Sequence, residues 1–598
     1  MDFLGIRGTK GFCVPDYFNF ADVIDEWAQK EKEGKKQSDH PALWWIDGAG
    51  NEVKWTFGDV AVNSKKAANL LSNEADVKPG DRVMVILPAI PEYWLIQAAC
   101  LRTGSVFLVM PTNVGPKELH RRMLKSKPVC VVAAPCDQVN NELLDVVDEV
   151  FCSAEVDIRS RILVNRMKYE ERRRDWLLFE DLFQKASADY HSVKSQSSDP
   201  VIIYHTSGTT GNSKMVEHSQ ASTGLCSGGM RRSHFVESDL IWIASPTGWP
   251  VLSSVSFFST WSVGAGTFVH YVAFVTAREA LETLQKHPIT DAQFSHSLYL
   301  KALDDEDLKS LSFAKLKRFF VAGEPTSKHM IRRWKEETGI ELWNYYGQTE
   351  TDILTFPREP GDDSRPDSVG KLLNGIDMLI VDDKYNEVTP GTQGRVVIRV
   401  KPYCPVGMFT RYVDDPEKTE SCFCRDFFIT GDLGRMDEDG YFWIVGRTDD
   451  VLIIDGCIAG WSGKADVNVS FQSKCTRCIR YSCHVVRHRR LIRYHFPQIC
   501  LCKIIPGDVE NCLKEHPAVL NCVVVSVSYL NRQIMKAFIV LSSGFKNENQ
   551  DHLIKTLQDH VTYNSASWMS PEKMEFIDDL PKTVTGKVDR RKLQCADL

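Results

Sequence analysis

Nowhere in the 598 residues is there an apolar run of about 18 that would carry the chain across a bilayer. The nearest approach, Val83 to Leu101, is broken by Pro88, Pro91 and Glu92. The opening Met1-Asp2-Phe3-Leu4-Gly5-Ile6 lacks the long apolar core of a secretory signal. With Asp2, Asp16 and few arginines, the N-terminal segment is also a poor match to a mitochondrial transit peptide. A basic excess is missing too: the formal charge is -7, and outside one late segment no basic stretch is interleaved with aromatics, which argues against nucleic acid as a partner. Cysteine is numerous but not dense. The 18 cysteines mostly stand singly in apolar runs such as Ala98-Ala99-Cys100, and read as reduced thiols inside a cell rather than a disulfide framework. Internal repeats are absent.

What is present has ordinary globular proportions, 43% hydrophobic and 25% charged, enough in a chain of this length to bury at least two domain cores. Val83–Leu87 reads as a buried strand, Pro91–Arg102 as a helix opening at a proline, and Val106–Met110 as the next strand, which is one βαβ unit. Similar runs at Val129–Ala133, Val201–Tyr204 and Phe319–Ala322 predict parallel sheets covered by helices. From Gly370 to about Arg399, short strands separated by Asn374-Gly375, Asp382-Asp383 and Pro390-Gly391-Thr392 predict a smaller, antiparallel β-rich module. The last hundred residues begin again with a helix over Asp508–Glu515, strands at Cys522–Val527 and Lys536–Leu541, and a helix over Gln550–His560, a small α+β domain. The polar tetrad Arg447-Thr448-Asp449-Asp450 lies between apolar runs and marks a hinge. The expected fold is therefore α/β, with a large N-terminal domain of several subdomains over 1–447 and a smaller, mobile α+β domain over 448–598.

The strongest local signal is Thr206-Ser207-Gly208-Thr209-Thr210-Gly211-Asn212-Ser213-Lys214, directly after the apolar Val201-Ile202-Ile203-Tyr204. Two glycines let backbone N–H groups turn inward, hydroxyls add donors and a lysine adds charge, a combination suited to wrapping a polyphosphate. The spacing is not that of a Walker A loop, because Gly208 and Gly211 are too close and Lys214 does not follow the second glycine.

Three further motifs follow in order: Asn344-Tyr345-Tyr346-Gly347-Gln348-Thr349-Glu350; Gly431-Asp432 with Gly446-Arg447-Thr448-Asp449-Asp450; and Pro581-Lys582-Thr583-Val584-Thr585-Gly586-Lys587. Together with the loop they resemble the adenylate-forming superfamily of acyl- and aryl-CoA synthetases, luciferases and peptide-synthetase adenylation domains. Phe18-Asn19-Phe20-Ala21, Ala42-Leu43-Trp44-Trp45, Lys66-Ala67-Ala68-Asn69, Gly248-Trp249 and Gly264 to His270 look like the medium-chain acyl-CoA synthetases of animals.

That resemblance implies an ATP-dependent ligation of a medium-chain fatty acid to coenzyme A through an acyl-AMP intermediate, with Mg²⁺ on the phosphates. Thr206, Ser207, Gly208, Thr209, Thr210, Gly211 and Lys214 would hold the phosphates. Tyr346 would stack on adenine beside Gly323, Glu324 and Pro325, since a π-face fits between a ring and flat backbone. Asn344, Tyr345, Gly347 and Gln348 complete that wall. Asp432 would accept from both ribose hydroxyls, with Arg447 beside it. Thr349 would donate to the α-phosphate, Glu350 would be the Mg²⁺ ligand, and Lys587 would bridge the acid's carboxylate and the α-phosphate as charge develops. The family's small domain rotates about a hinge aspartate, here Asp449, to exchange Lys587 for a thiol tunnel. Asp455, Gly456 and Arg532 would bind coenzyme A, and Gly248 and Trp249 the acyl tail. Aromatic or branched acids are the alternative substrates; a nucleotide-binding protein impaired in the thioester step is the alternative of another class.

Ser213 stands where relatives have proline before the loop lysine, and Asp352 where a glycine normally follows Thr351, near the acyl channel. The largest departure is Cys457 to Cys502, which reads as an insertion. It holds six arginines, three histidines and Asp466 as its only acid, with no sustained helix or strand period. Cys475, Cys478, Cys483 and His484 match no common zinc spacing, and the segment reads as translated intervening sequence rather than a selected module. It interrupts the loop that the resemblance assigns to the thiol tunnel. Resemblance places the enzyme in the mitochondrial matrix, whereas the opening residues point to the cytoplasm.

Overall fold

The structure is a computed structural model describing residues 6–9, 12–36, 40–135, 141–153, 155–166, 173–206, 213–229, 235–272, 275–305, 307–324, 326–357, 365, 367–450, 452–455, 486–487, 490–491, 501–504, 506–529, 532–565, 569–583 and 587–595. The chain divides into two compact units. The first comprises Met1–Thr430, Gly434–Ile444 and Thr583–Lys587; the second comprises Gly431–Leu433, Val445–Lys582 and Val588–Leu598. The change of unit at Ile444 to Val445 falls slightly before the expected 447, and the capture of Gly431–Leu433 by the second unit has no signal in the local sequence.

Two parallel-rich sheets organise the first unit. One runs in the order Arg411–Tyr412, Lys214–Ser219, Pro200–Thr206, Val106–Val109, Arg82–Ile86, Cys130–Ala133, Ser160–Leu163 and Leu177–Leu178. Its strands run parallel except Lys214–Ser219, which pairs antiparallel with both of its neighbours, Pro200–Thr206 and Arg411–Tyr412. The second runs Leu342–Asn344, Arg318–Val321, Asp291–Phe294, Leu240–Ala244, Gly266–Tyr271, Leu43–Asp47 and Glu52–Trp55, parallel up to the final hairpin. The strands expected from apolar runs are all present, with ends differing by a residue or two.

Burial explains why those runs were legible. Val83 through Ile86 and Cys130 through Ala133 are fully buried, as both faces of a parallel sheet are covered. The helix Pro91–Thr103 is buried all round, begins at Pro91 and stops at Gly104, whose φ of 68° makes the left-handed cap. The module beyond Gly370 is antiparallel as expected, Met378–Val381 pairing with Gly394–Arg399.

In the second unit Val519–Tyr529 and Arg532–Leu541 form a long antiparallel ladder, with Lys573–Phe576 parallel to the latter. The helix Gln550–Asn564 lays Leu553, Leu557 and Val561 on that core, its N-terminus capped by Asn549 accepting from His552 N at 3.0 Å. Glu510, 4% exposed, is held by Arg590 through two bonds of 2.6 and 3.0 Å and by Val524 N at 2.8 Å. Burial alone would raise its pKa; the charge and hydrogen bonds of Arg590, with Lys514 and the Val524 N–H, together outweigh burial and leave it below the usual glutamate range.

One pairing corrects the expected bounds of the insertion. Leu452–Asp455 pairs antiparallel with Leu501–Ile504, so Leu501 and Cys502 belong to a strand of the second unit rather than to the inserted segment. Cys475, Cys478, Cys483 and His484 lie outside the described residues.

Candidate active site

Thr206 and Lys214 face each other on the last rung of the hairpin ladder, bracketing the phosphate loop. Ser207, Gly208, Thr209, Thr210 and Gly211 lie outside the described residues. The chain leaves this loop as a strand, whereas a Walker A loop opens a helix. Ser213, buried, pairs its hydroxyl with His205 Nδ1 at 3.3 Å, and its carbonyl accepts from Lys125 Nζ at 2.7 Å. Two hydrogen bonds thus hold the end of the loop where the resemblance implies a proline.

His205 is shifted well below the usual imidazole range, first by burial and then by the positive charges of Arg122, Lys125 and Arg121. Its Nε2 has no partner among the described residues. A base whose folded pKa is depressed leaves stability intact above its unfolded value of about 6.5 and erodes it as pH falls below that value. Urea unfolding should therefore show about 1.4 kcal/mol lost per pH unit below about 6.5 from this group. His205→Gln should flatten that component, and an unaltered slope would contradict the assignment.

The second motif opens at Asn344, the buried end of its strand. Successive tyrosines then point apart, as side chains on extended chain do. Tyr346 is 9% exposed and packs with Val216, Leu354 and Met378. Tyr345, grouped with the nucleotide residues by motif, instead lines an apolar cavity and donates its hydroxyl to Gln293 Oε1 at 2.9 Å. Gln348 Nε2 donates to Thr430 O at 2.9 Å, and Gln348 N to Thr351 Oγ1 at 3.0 Å, which fixes the turn after Gly347.

The strand leaving the phosphate loop anchors this turn. His218 Nε2 donates to Thr349 O at 2.6 Å, with Nδ1 against Ser222 Oγ at 3.1 Å. Tyr412, paired with Val216 on the neighbouring edge strand, donates its hydroxyl to Glu350 Oε1 at 2.7 Å. Lys214 Nζ lies 5.2 Å from the centre of the same ring, a cation–π distance. Burial and the adjacent Glu350 raise the Tyr412 phenol far above its ordinary range, so it stays a donor. Neither His218 nor Tyr412 announces itself in the sequence, because each is defined by a strand neighbour remote in the chain.

Gly323 (φ 91°) approaches the ring of Trp249 just past the end of the strand Arg318–Val321, with Glu324 next in the chain; Pro325 lies outside the described residues. A Cβ on Gly323 would lie 3.5 Å from the Trp249 ring and 3.8 Å from Lys587 Cε. Lys587 is exposed and belongs to the first unit by packing, its carbonyl accepting from Thr583 N at 2.7 Å.

The cavity is walled by other residues than the expected Gly248 and Trp249. Gly248 is a glycine for packing: a Cβ there would come within 2.7 Å of Pro111 Cα. Trp249 stands at the Gly323 step instead. The wall residues are Val255, Ser259 and Val263 from one helical face, Phe320, Phe356 and Tyr345. Asp352 has φ 57°, which explains the glycine expected there; aspartate tolerates that region better than most side chains.

In the second unit Arg447 Nη1 donates to Asp432 Oδ1 at 2.9 Å, and Thr448 Oγ1 donates to Gly431 O at 2.9 Å. Asp449 lies 4.0 Å from Arg447. Asp455 and Arg532 occur at strand ends by backbone position, and Gly456 is outside the described residues.

The family profile described as AMP-binding enzyme matches residues 30–412, and that of the AMP-binding enzyme C-terminal domain matches 508–587. The chain is 38% identical to the mitochondrial acyl-coenzyme A synthetase ACSM4 of Rattus norvegicus, over 97% of this chain and 91% of that protein. It is 37% identical to mitochondrial acyl-coenzyme A synthetase ACSM5 of Homo sapiens, over the same shares. Among solved structures, the anthranilate CoA ligase AuaEII in complex with anthranoyl-AMP aligns with a TM-score of 0.78 at 23% identity, covering 98% of each chain. A benzoate CoA ligase from Burkholderia xenovorans LB400 aligns at 0.75 and 21%, covering 96% of this chain and 100% of that one. At such identities these two speak for the fold.

Proposed function

Since the chain belongs to the AMP-binding enzymes and, within them, to the acyl-coenzyme A synthetases, we propose that it ligates a medium-chain fatty acid to coenzyme A in two steps at one site. A carboxylate oxygen attacks the α-phosphorus of ATP and pyrophosphate leaves; the coenzyme A thiol then attacks the acyl carbonyl and AMP leaves with that oxygen. The observation carrying this reading is the convergence within one unit of Lys214, Thr349, Glu350 and Lys587, which are far apart in sequence.

Lys214 and the loop hydroxyls hold the phosphates, Thr349 donates to the α-phosphate and Lys587 offsets charge there as the new bond forms. Tyr346 and the Gly323 backbone flank the base, and Asp432, oriented by its bond from Arg447, takes the ribose. Asp449 serves as the hinge, and Asp455, Gly456 and Arg532 receive coenzyme A. The apolar cavity receives the acid's tail.

Glu350 suits a hard divalent cation such as Mg²⁺: Oε1 is fixed by Tyr412, and Oε2 has no partner among the described residues. When bound, Mg²⁺ neutralises phosphate charge. Tyr412→Phe keeps the ring under Lys214 but frees the carboxylate, so the Mg²⁺ concentration that half-saturates its enhancement of ATP binding should rise roughly tenfold or more. Binding of a fluorescent ATP analogue across a Mg²⁺ titration measures this; an unshifted midpoint would remove Tyr412 from that role.

The function itself is tested by acid-dependent ATP–pyrophosphate exchange and by acyl-CoA formation across acids of increasing length. Exchange peaking at medium chains is expected, and exchange indifferent to added acid would refute it. The mitochondrial matrix is the proposed location, since the relatives reported above are named mitochondrial; cytoplasmic fractionation of the native protein would overturn that.

A further inference from the structure

We propose that Gln293 makes this enzyme select acids whose tail carries a hydrogen-bond acceptor, such as a keto or ether oxygen, near its far end. The proposal rests on reading the cavity as the tail site.

Depth comes from strand register. Gln293 lies beside Ile243 on one neighbour and Phe320 on the other, inside the end of its strand. Gly323 and Trp249, beside Lys587, mark the reacting end, three residues beyond Phe320 and so at most about 10 Å away at 3.3 Å per residue. Gln293 and Phe320 therefore form the floor, at a distance suited to the far end of a medium-length chain.

Polarity comes from accounting for each group. Among the cavity's lining residues only Ser259, Gln293 and Tyr345 carry polar side-chain atoms. Ser259 Oγ is within 3.5 Å of Ser227 Oγ, turned toward its helical neighbours. The Tyr345 hydroxyl donates to Gln293 Oε1 at 2.9 Å, which fixes the carboxamide's orientation. Gln293 is 3% exposed, and its NH₂ has no hydrogen-bond partner among the described residues. An all-carbon tail expelling water from the floor strands this donor, whereas an oxygen placed there satisfies it. The Phe356 ring packs within 6 Å of both the Phe320 and the Tyr345 rings, which gives the floor little room to turn the amide away.

The test compares octanoic acid with 7-oxooctanoic acid as substrates of the full chain, by kcat/KM in pyrophosphate exchange. The wild type should favour the oxo acid roughly tenfold or more, and Gln293→Met should reverse the preference toward octanoic acid. Equal use of both acids by the wild type, or an unchanged ratio in Gln293→Met, overturns the proposal while leaving the ligase reading intact. Activation of neither acid, nor of any other, overturns both. Should Gln293→Met not fold, the wild-type ratio decides, supported by Tyr345→Phe, which releases the carboxamide and should shrink the preference.

Discussion

Lys587→Ala should lower acid-dependent pyrophosphate exchange by about 10²–10³-fold, the loss typical of removing one preorganised group from a developing charge. The side chain reaches the Gly323 backbone from an exposed loop position, so its removal leaves no cavity and opens no core. Its contribution is confined to the step in which charge accumulates at the α-phosphorus. Synthetic acyl-AMP supplied with coenzyme A should therefore still be converted to acyl-CoA at close to the unaltered rate. Lys587→Arg should rescue little, since a planar fork does not replace a compact ammonium between two oxygens. Equal loss in both half-reactions would mean that Lys587 supports the fold rather than the chemistry.

Replacing residues 457–500 by an Asn-Gly turn should raise acyl-CoA formation about 10²-fold while moving pyrophosphate exchange only slightly. The strands Leu452–Asp455 and Leu501–Ile504 are already paired, so the insertion leaves and returns at adjacent points and a short glycine-containing turn closes the gap. Closing the long loop costs the folded state about 2–3 kcal/mol, which a large domain survives. The thioester step is more sensitive: Asp455 and Gly456 lie at the point of departure, and a misplacement of about 1 Å costs roughly 10² in rate. Equal acyl-CoA turnover by the full and shortened chains would show that the inserted residues leave the thiol path undisturbed.

The sequence made the architecture readable where burial is two-sided. Val83–Ile86 and Cys130–Ala133 are apolar throughout because helices cover both faces, and Pro91 and Gly104 punctuate the helix between strands. It made the nucleotide motifs readable because glycines, hydroxyls and lysines recur there at short spacing. What it hid depends on remote pairing. Tyr412 acquires its role only because its short strand lies beside Lys214–Ser219, and His218 only because Thr349 is folded against it. Gly248 was assigned to the acyl pocket by motif, but its reason is Pro111, over a hundred residues earlier. Gln293 looks like one polar residue in a buried strand until register sets it on the floor of a cavity.

The most direct measurement follows oxygen. With ATP, coenzyme A and a medium-chain acid labelled with ¹⁸O in both carboxylate positions, the AMP released should carry one ¹⁸O atom and the pyrophosphate none, because the bond formed at the α-phosphorus belongs to the acid's oxygen. Unlabelled AMP, or release of ADP and phosphate, would contradict activation of the acid as an acyl-adenylate.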